Sequence, residues 1–158
     1  MVGDGMYKFE INDSYGDGIC CSYGQGDYAV SVDGKQIQVG GNFGRSTGVT
    51  FTVGTPTLSI SSISGAFNSV KEYAFIPPAG TGNVSCSISG NNGDADLYVS
   101  FDDANTIGGT SGGDCVPFVA GSNESCAATR FPTIGNVLMV TIHAYEAYTG
   151  LTLTCQSS

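Results

Sequence analysis

Two pairs of aspartates are spaced so that their carboxylates could converge on one cation. Asp13 and Asp17 lie four residues apart across Ser14-Tyr15-Gly16, a glycine turn that would let both side chains and the intervening carbonyls face one hard ion needing six to eight oxygens. The same spacing also suits a simpler role, in which Asp13 caps its own turn by accepting main-chain N–H groups. Asp94 and Asp96, just after Asn91 and Asn92, form a second oxygen-rich turn. Their i, i+2 spacing puts both on one face if a strand has already begun. Neither pair has the DxDxDG spacing of an EF-hand, so calcium is an expectation at Asp13, Asp17, Asp94 and Asp96 and not a motif match.

The other reactive residue types are sparse. His143 is the sole histidine and sits in Val140-Thr141-Ile142-His143-Ala144-Tyr145, where a strand would alternate it with Ile142. No GxSxG pentapeptide accompanies it, and no HExxH or further histidine offers a zinc set. The chain is therefore expected to be no enzyme. Of the eight tyrosines, Tyr15, Tyr23, Tyr145 and Tyr148 lie outside the strand-like runs and are the better exposed candidates to stack on a sugar. Tyr28, Tyr73 and Tyr98 lie within strand-like runs and read as cross-strand packing. The six cysteines, Cys20, Cys21, Cys86, Cys115, Cys126 and Cys155, are an even number without zinc spacing, as expected of an oxidising compartment.

These residues need a β framework to position them. Charged residues make up 12% of the chain, 24 residues are glycine, and no window shows uninterrupted helical apolar periodicity. Strand-like runs occur at Tyr7–Ile11, Tyr28–Val32, Lys35–Val39 and Thr50–Val53, with Asp33-Gly34 as a hairpin turn. After Gly54-Thr55-Pro56-Thr57 they resume at Leu58–Ile63, Lys71–Ile76, Asn83–Ile88, Leu97–Phe101, Val137–His143 and Leu151–Cys155. Proline cannot donate to a ladder and restricts its neighbour, so the expected organisation is a small glycine-rich β-meander over 1–54 and an antiparallel, jelly-roll-like β-sandwich over 55–158. A net charge of −9 disfavours nucleic acid and anionic lipid as partners. No stretch approaches the roughly 18 apolar residues of a membrane span, and no signal peptide is legible. Asn12, Asn83 and Asn123 lie in N-x-S/T triplets that permit glycosylation in a eukaryotic host.

From about Pro56 to Cys155 the chain resembles the pre-peptidase C-terminal domain of bacterial exported hydrolases. The residues that carry this are Gly93-Asp94-Ala95-Asp96-Leu97-Tyr98-Val99, Asp114-Cys115 with Pro117, Asn123-Glu124-Ser125-Cys126, Val140-Thr141-Ile142-His143-Ala144-Tyr145, and Tyr148-Thr149-Gly150-Leu151-Thr152-Leu153. Such domains are similar to collagen-binding modules, which implies calcium and attachment rather than catalysis. The resemblance also implies a Cys115–Cys126 bridge across a glycine-containing loop, beside a Cys86–Cys155 bridge between two strand runs. Cys20 and Cys21 are then left to bond each other, stay reduced or join another chain.

Asp13-Ser14-Tyr15-Gly16-Asp17-Gly18-Ile19-Cys20-Cys21-Ser22-Tyr23-Gly24 resembles a motif repeated in secreted multidomain proteins of environmental microbes. In that motif further strands precede the run equivalent to Tyr7–Ile11, so the N-terminal unit reads as a half-sheet with an open edge. The functional expectation is thus an extracellular, calcium-binding attachment or self-assembly protein, a filament subunit whose open edge pairs with another copy. The alternative is an accessory polysaccharide- or protein-binding pair of domains from a secreted hydrolase.

Overall fold

The computed structural model describes residues 2–21, 23–100, 114–129 and 137–158. It is all β. The strands are β1 (Gly5–Asn12), β2 (Tyr28–Val32), β3 (Lys35–Gly40), β4 (Ser46–Val53), β5 (Thr57–Gly65), β6 (Val70–Ile76), β7 (Asn83–Ser89), β8 (Ala95–Ser100), β9 (Glu124–Thr129), β10 (Leu138–Ala144) and β11 (Tyr148–Ser157). The expected end of the Leu97 run, Phe101, lies outside the described residues.

A five-stranded sheet in the order β1-β4-β6-β10-β8 faces a four-stranded sheet in the order β5-β11-β7-β9, and β2 and β3 pair as a separate hairpin. This is the expected sandwich, with differences in the N-terminal third. The residues before Gly54 do not form a meander: β1 pairs antiparallel with β4 along its whole length, and the β2–β3 hairpin loops out between them. At the expected boundary, Gly54–Thr57, the chain turns from β4 into β5, while β4 joins β6 as the one parallel pair among the described strands. The large sheet therefore takes strands from both sides of the boundary.

The burial pattern explains this arrangement. One face of the large sheet carries Tyr73, Phe75, Leu97, Val99, Leu138, Val140 and Ile142, which pack on Leu58, Val84, Ile88, Leu151 and Leu153 of the small sheet. The opposite face carries Val49, Phe51, Val53, Ala74, Ile76 and Met139, and these pack on Val32 and Ile37 of the hairpin, with Tyr7 and Phe9 alongside. The hairpin is placed by its turn, where Asp33 and Gly34 have φ of 48° and 81°, the left-handed pair that suits the twist of a two-residue connection.

In β5 the inward apolar positions are Leu58, Ile60 and Ile63, spaced two and then three residues apart. A straight strand would turn Ile63 outward. A bulge around Ser62, whose φ is 60°, restores it to the core while β11 advances by two residues.

Three disulfides fasten the frame: Cys86–Cys155, Cys115–Cys126 and Cys20–Cys21. Cys155, Cys86 and Cys126 sit opposite one another across β11, β7 and β9, so a row of sulfur crosses the small sheet.

If the hairpin is part of the one core, Ile37→Ala, at a side chain with no exposure, should lower global stability by about 2–5 kcal/mol. Thermal unfolding followed by near-UV circular dichroism should show a single transition shifted down. A second, unshifted transition would show that the N-terminal third melts alone.

Candidate functional site

The candidate residues gather at one end of the large sheet. β1 and β10 end there, while β4, β6 and β8 begin there. The loop after Asn12, the turn before Val70, the turn before Ala95 and the turn after Ala144 thus line one rim. Asp13 follows β1 at one lateral edge, and Asp94 precedes and Asp96 lies in β8 at the other. Four strand spacings separate them, about 19 Å at ~4.8 Å each, so the two aspartate pairs do not form one site.

Asp13 is the hub of its loop. Its carboxylate accepts the N–H groups of Tyr15, Gly16, Asp17 and Gly18 at 2.8 to 3.0 Å. These bonds, that from Tyr15 foremost, hold its carboxyl below the usual carboxylate range against the opposing effect of desolvation. Gly18, at φ 73°, lies so close to Gly41 that a Cβ would meet the Gly41 carbonyl at 2.6 Å, which fixes glycine there. The loop presents Tyr15 and Tyr23 almost fully to solvent beside the bonded Cys20–Cys21 pair.

At the other edge, polar groups tie three loops together. Asn92 accepts the Thr149 N–H and donates to its hydroxyl, Ser122 donates to the Asn92 carbonyl, and Asp94 accepts the Gly121 N–H. Beneath them Glu124, 4% exposed, accepts the N–H groups of Leu97 at 2.6 Å and Val119 at 2.7 Å. Burial pushes its carboxyl up; the two amides oppose this, and Asp96 and Asp94 add repulsion. Glu124 thereby anchors the segment carrying Phe118, which is exposed, has φ of 50°, and meets the Tyr98 ring edge-on at 5.6 Å between centroids. Glu124 was quoted for the resemblance but not read as a site residue; a carboxylate among Ser, Cys and Ala in a short strand gave no periodicity to flag it.

His143 faces Asn68 through Nε2 at 3.3 Å and Asp96 through Nδ1 at 3.6 Å. Both ring nitrogens thus meet side chains that orient the imidazole, and no nucleophile is placed against it by any contact among the described residues. The Asn68 N–H donates to the Ala144 carbonyl, which brings Phe67 and Tyr145, both exposed, to the same part of the rim.

One expectation needs correction. Tyr148 is not a surface ligand platform: β11 begins at Tyr148 rather than Leu151, and its ring is 1% exposed in the main core. Burial pushes its phenol up to about 12. At the expected calcium residues, Asp13 accepts four N–H donors, Asp94 accepts another and Asp96 faces His143. Among the described residues no group of three His, Cys, Asp or Glu side chains is arranged to hold a metal.

The geometry defines an all-β sandwich with a loop-bearing rim. No family model matches the chain. By sequence it is similar to bacterial proteases: a zinc metalloprotease of Helicobacter pylori (36% identical over 94 residues) and the hemagglutinin/proteinase of Vibrio cholerae (36% over 94 residues). It also matches the neutral protease of Vibrio proteolyticus (32% over 107 residues). These matches cover 60%, 60% and 68% of this chain but 34%, 14% and 16% of the relatives, so the chain spans about a third of the length of one and less than a fifth of the other two. Among solved structures it matches the solution structure of vEP C-ter 100 at 36% identity, over 60% of this chain and 88% of that one, with a TM-score of 0.47.

These findings overturn the expectation of a self-assembling attachment protein, because the similar proteins are proteases and not filament subunits. The apolar face expected to lie open is covered by the β2–β3 hairpin and β4 pairs with β6, while β1 stands at the edge of the large sheet. Among the described residues, no helix is long and apolar enough to cross a membrane.

Two outcomes follow. In the folded chain Glu124 holds a proton more tightly than its ordinary 4.5, so its contribution favours folding at low pH and declines as pH rises from that value through the raised one. Glu124→Gln removes this slope, and the wild-type advantage in melting temperature over the variant should widen as pH is lowered from 8 towards 5. For calcium, a site filled to a hundredfold excess over its Kd would add about 2.7 kcal/mol. Titrating calcium into chelator-treated chain tests the expected sites: a rise abolished by Asp13→Asn with Asp17→Asn, or by Asp94→Asn with Asp96→Asn, assigns calcium to that loop, and an unchanged melting temperature removes both.

Proposed function

We propose that the chain is a non-catalytic accessory module of a secreted hydrolase, a pre-peptidase C-terminal-like sandwich that acts outside the cell by holding protein substrate near a catalytic domain. The observation that carries this reading is the similarity to proteases over a small fraction of their length, in a chain whose single histidine faces Asn68 and Asp96 and, among the described residues, no nucleophile. The DSYGDGICC loop of the N-terminal third is, on this reading, an added contact surface on the same rim.

The rim has the character that substrate holding needs. Phe67, Phe118 and Tyr145 are large, exposed and anchored by turns that bond to the sheet. Rigid aromatic side chains of this kind supply contact area at small entropic cost. Protein is favoured over polysaccharide because the similar proteins are proteases.

Co-sedimentation with insoluble gelatin, cellulose or chitin tests the reading. Retention on gelatin is expected, without peptide-bond cleavage, and Phe67→Ala with Tyr145→Ala should weaken it about tenfold or more, since a central aromatic anchor is commonly worth over 1 kcal/mol. Retention on cellulose or chitin alone would assign polysaccharide instead, and cleavage of casein by the purified chain would overturn the non-catalytic reading.

A further inference from the structure

The β4–β6 junction is open at the rim. Parallel pairing joins Thr50–Val53 to Tyr73–Ile76 and extends no further towards the strand starts. Beyond it a cavity of about 510 Å³ is lined by Ser46, Gly48 and Thr50 on one wall and Val70, Glu72 and Tyr73 on the other, a volume within the usual range of ligand sites. Lining residues come from both faces of the sheet. Tyr73 belongs to the face packed on the small sheet, whereas Glu72 takes a hydrogen bond from Gln38 of the hairpin on the opposite side. The cavity is thus a slot through the sheet and not a cleft on one surface.

The ladder phase shows which main-chain groups line it. The Asp13 N–H bonds to the Arg45 carbonyl. Alternation along an antiparallel pair then turns Arg45, Thr47 and Val49 towards β1, and Ser46 and Gly48 towards the slot. The Ala144 N–H bonds to the Ser69 carbonyl, which turns Ser69 and Lys71 towards β10, and Val70 and Glu72 towards the slot. The same phase is confirmed where the strands do meet, since the Gly54 N–H bonds to the Ile76 carbonyl. Both walls therefore offer N–H and C=O groups at strand spacing.

Behind the wall, the hairpin's Gln38 holds Glu72: it is 1% exposed, its Nε2 donates to Glu72 at 3.0 Å, and its Oε1 has no partner. Of the five Lys and Arg residues in this acidic chain, Lys8 and Lys71 line the slot. Lys8 is paired with Glu10, and Lys71 is exposed.

We infer that this slot is a receptor for an extended peptide segment, whose main chain pairs with the free edges of β4 and β6 and whose acidic side chain meets Lys71. Strand addition of this kind takes its affinity from main-chain bonds and its selectivity from alternate side chains. The site goes beyond the aromatic surface proposed for substrate holding. It recognises backbone rather than bulk, and its failure would leave gelatin retention untouched.

The probe is the capped peptide acetyl-Thr-Val-Glu-Val-Thr-Val-amide, titrated into the isotopically labelled full chain by NMR, beside an analogue N-methylated at alternate residues. The expected result is chemical-shift change and slowed amide exchange confined to Ser46, Gly48, Val70 and Glu72. The N-methylated analogue should bind at least tenfold more weakly, and Lys71→Glu should reduce affinity several-fold with the free spectrum otherwise unchanged. Equal binding of the two peptides, shifts located elsewhere, or no shift at millimolar peptide would each overturn the proposal, as would movement of the same amides by xylohexaose alone.

Discussion

The strands at the centre of the large sheet are apolar on both faces. In β10 Leu138, Val140 and Ile142 point one way and Met139 the other, and in β6 Tyr73 and Phe75 oppose Ala74 and Ile76. At about 25 cal/mol per Å² of apolar surface removed from water, neither face can be left wet in a chain of this size. The small sheet covers one face and the N-terminal hairpin the other. The rest of the architecture follows from that double cover: β4 joins β6 so that the hairpin between β1 and β4 reaches Ala74 and Met139. The rim then collects the loops of both halves of the chain.

This constraint also explains what the residues could and could not foretell. Strand positions were legible because Val, Ile, Tyr and Thr recur between glycine turns, and Asp33-Gly34 marked its hairpin through backbone preference alone. The parallel β4–β6 pair was not legible. It joins residues on either side of Pro56, and that proline reads as an interruption when the sequence is followed locally. The result was an expected meander with a bare face, where the protein has a sheet closed on both sides.

At the candidate site, composition revealed the participants but not their bonds. Asp13 stands in a loop whose glycines free four amides to turn inward, so a carboxylate that could ligate a cation becomes the acceptor that shapes the turn. Tyr148 precedes Thr149-Gly150 and so resembles a turn residue, yet β11 starts one residue before that pair and draws the ring into the core. Glu124 escaped notice because its importance lies in Leu97 and Val119, one on another strand and one in a loop. Leu97 lies 27 residues away, too far for spacing to announce the bond.

The kink at Ser62 bears on the chain's behaviour in company. β5 is an edge strand nine residues long without a single charge, the type of border along which polypeptides adhere to one another. The extra residue shifts its hydrogen-bonding groups out of phase, so those before Ser62 and those after it cannot be matched by one straight neighbour. An intruding strand can satisfy one half only at the expense of the other. A residue inserted to turn Ile63 inward thus also breaks the straight border along which a second strand would have to pair.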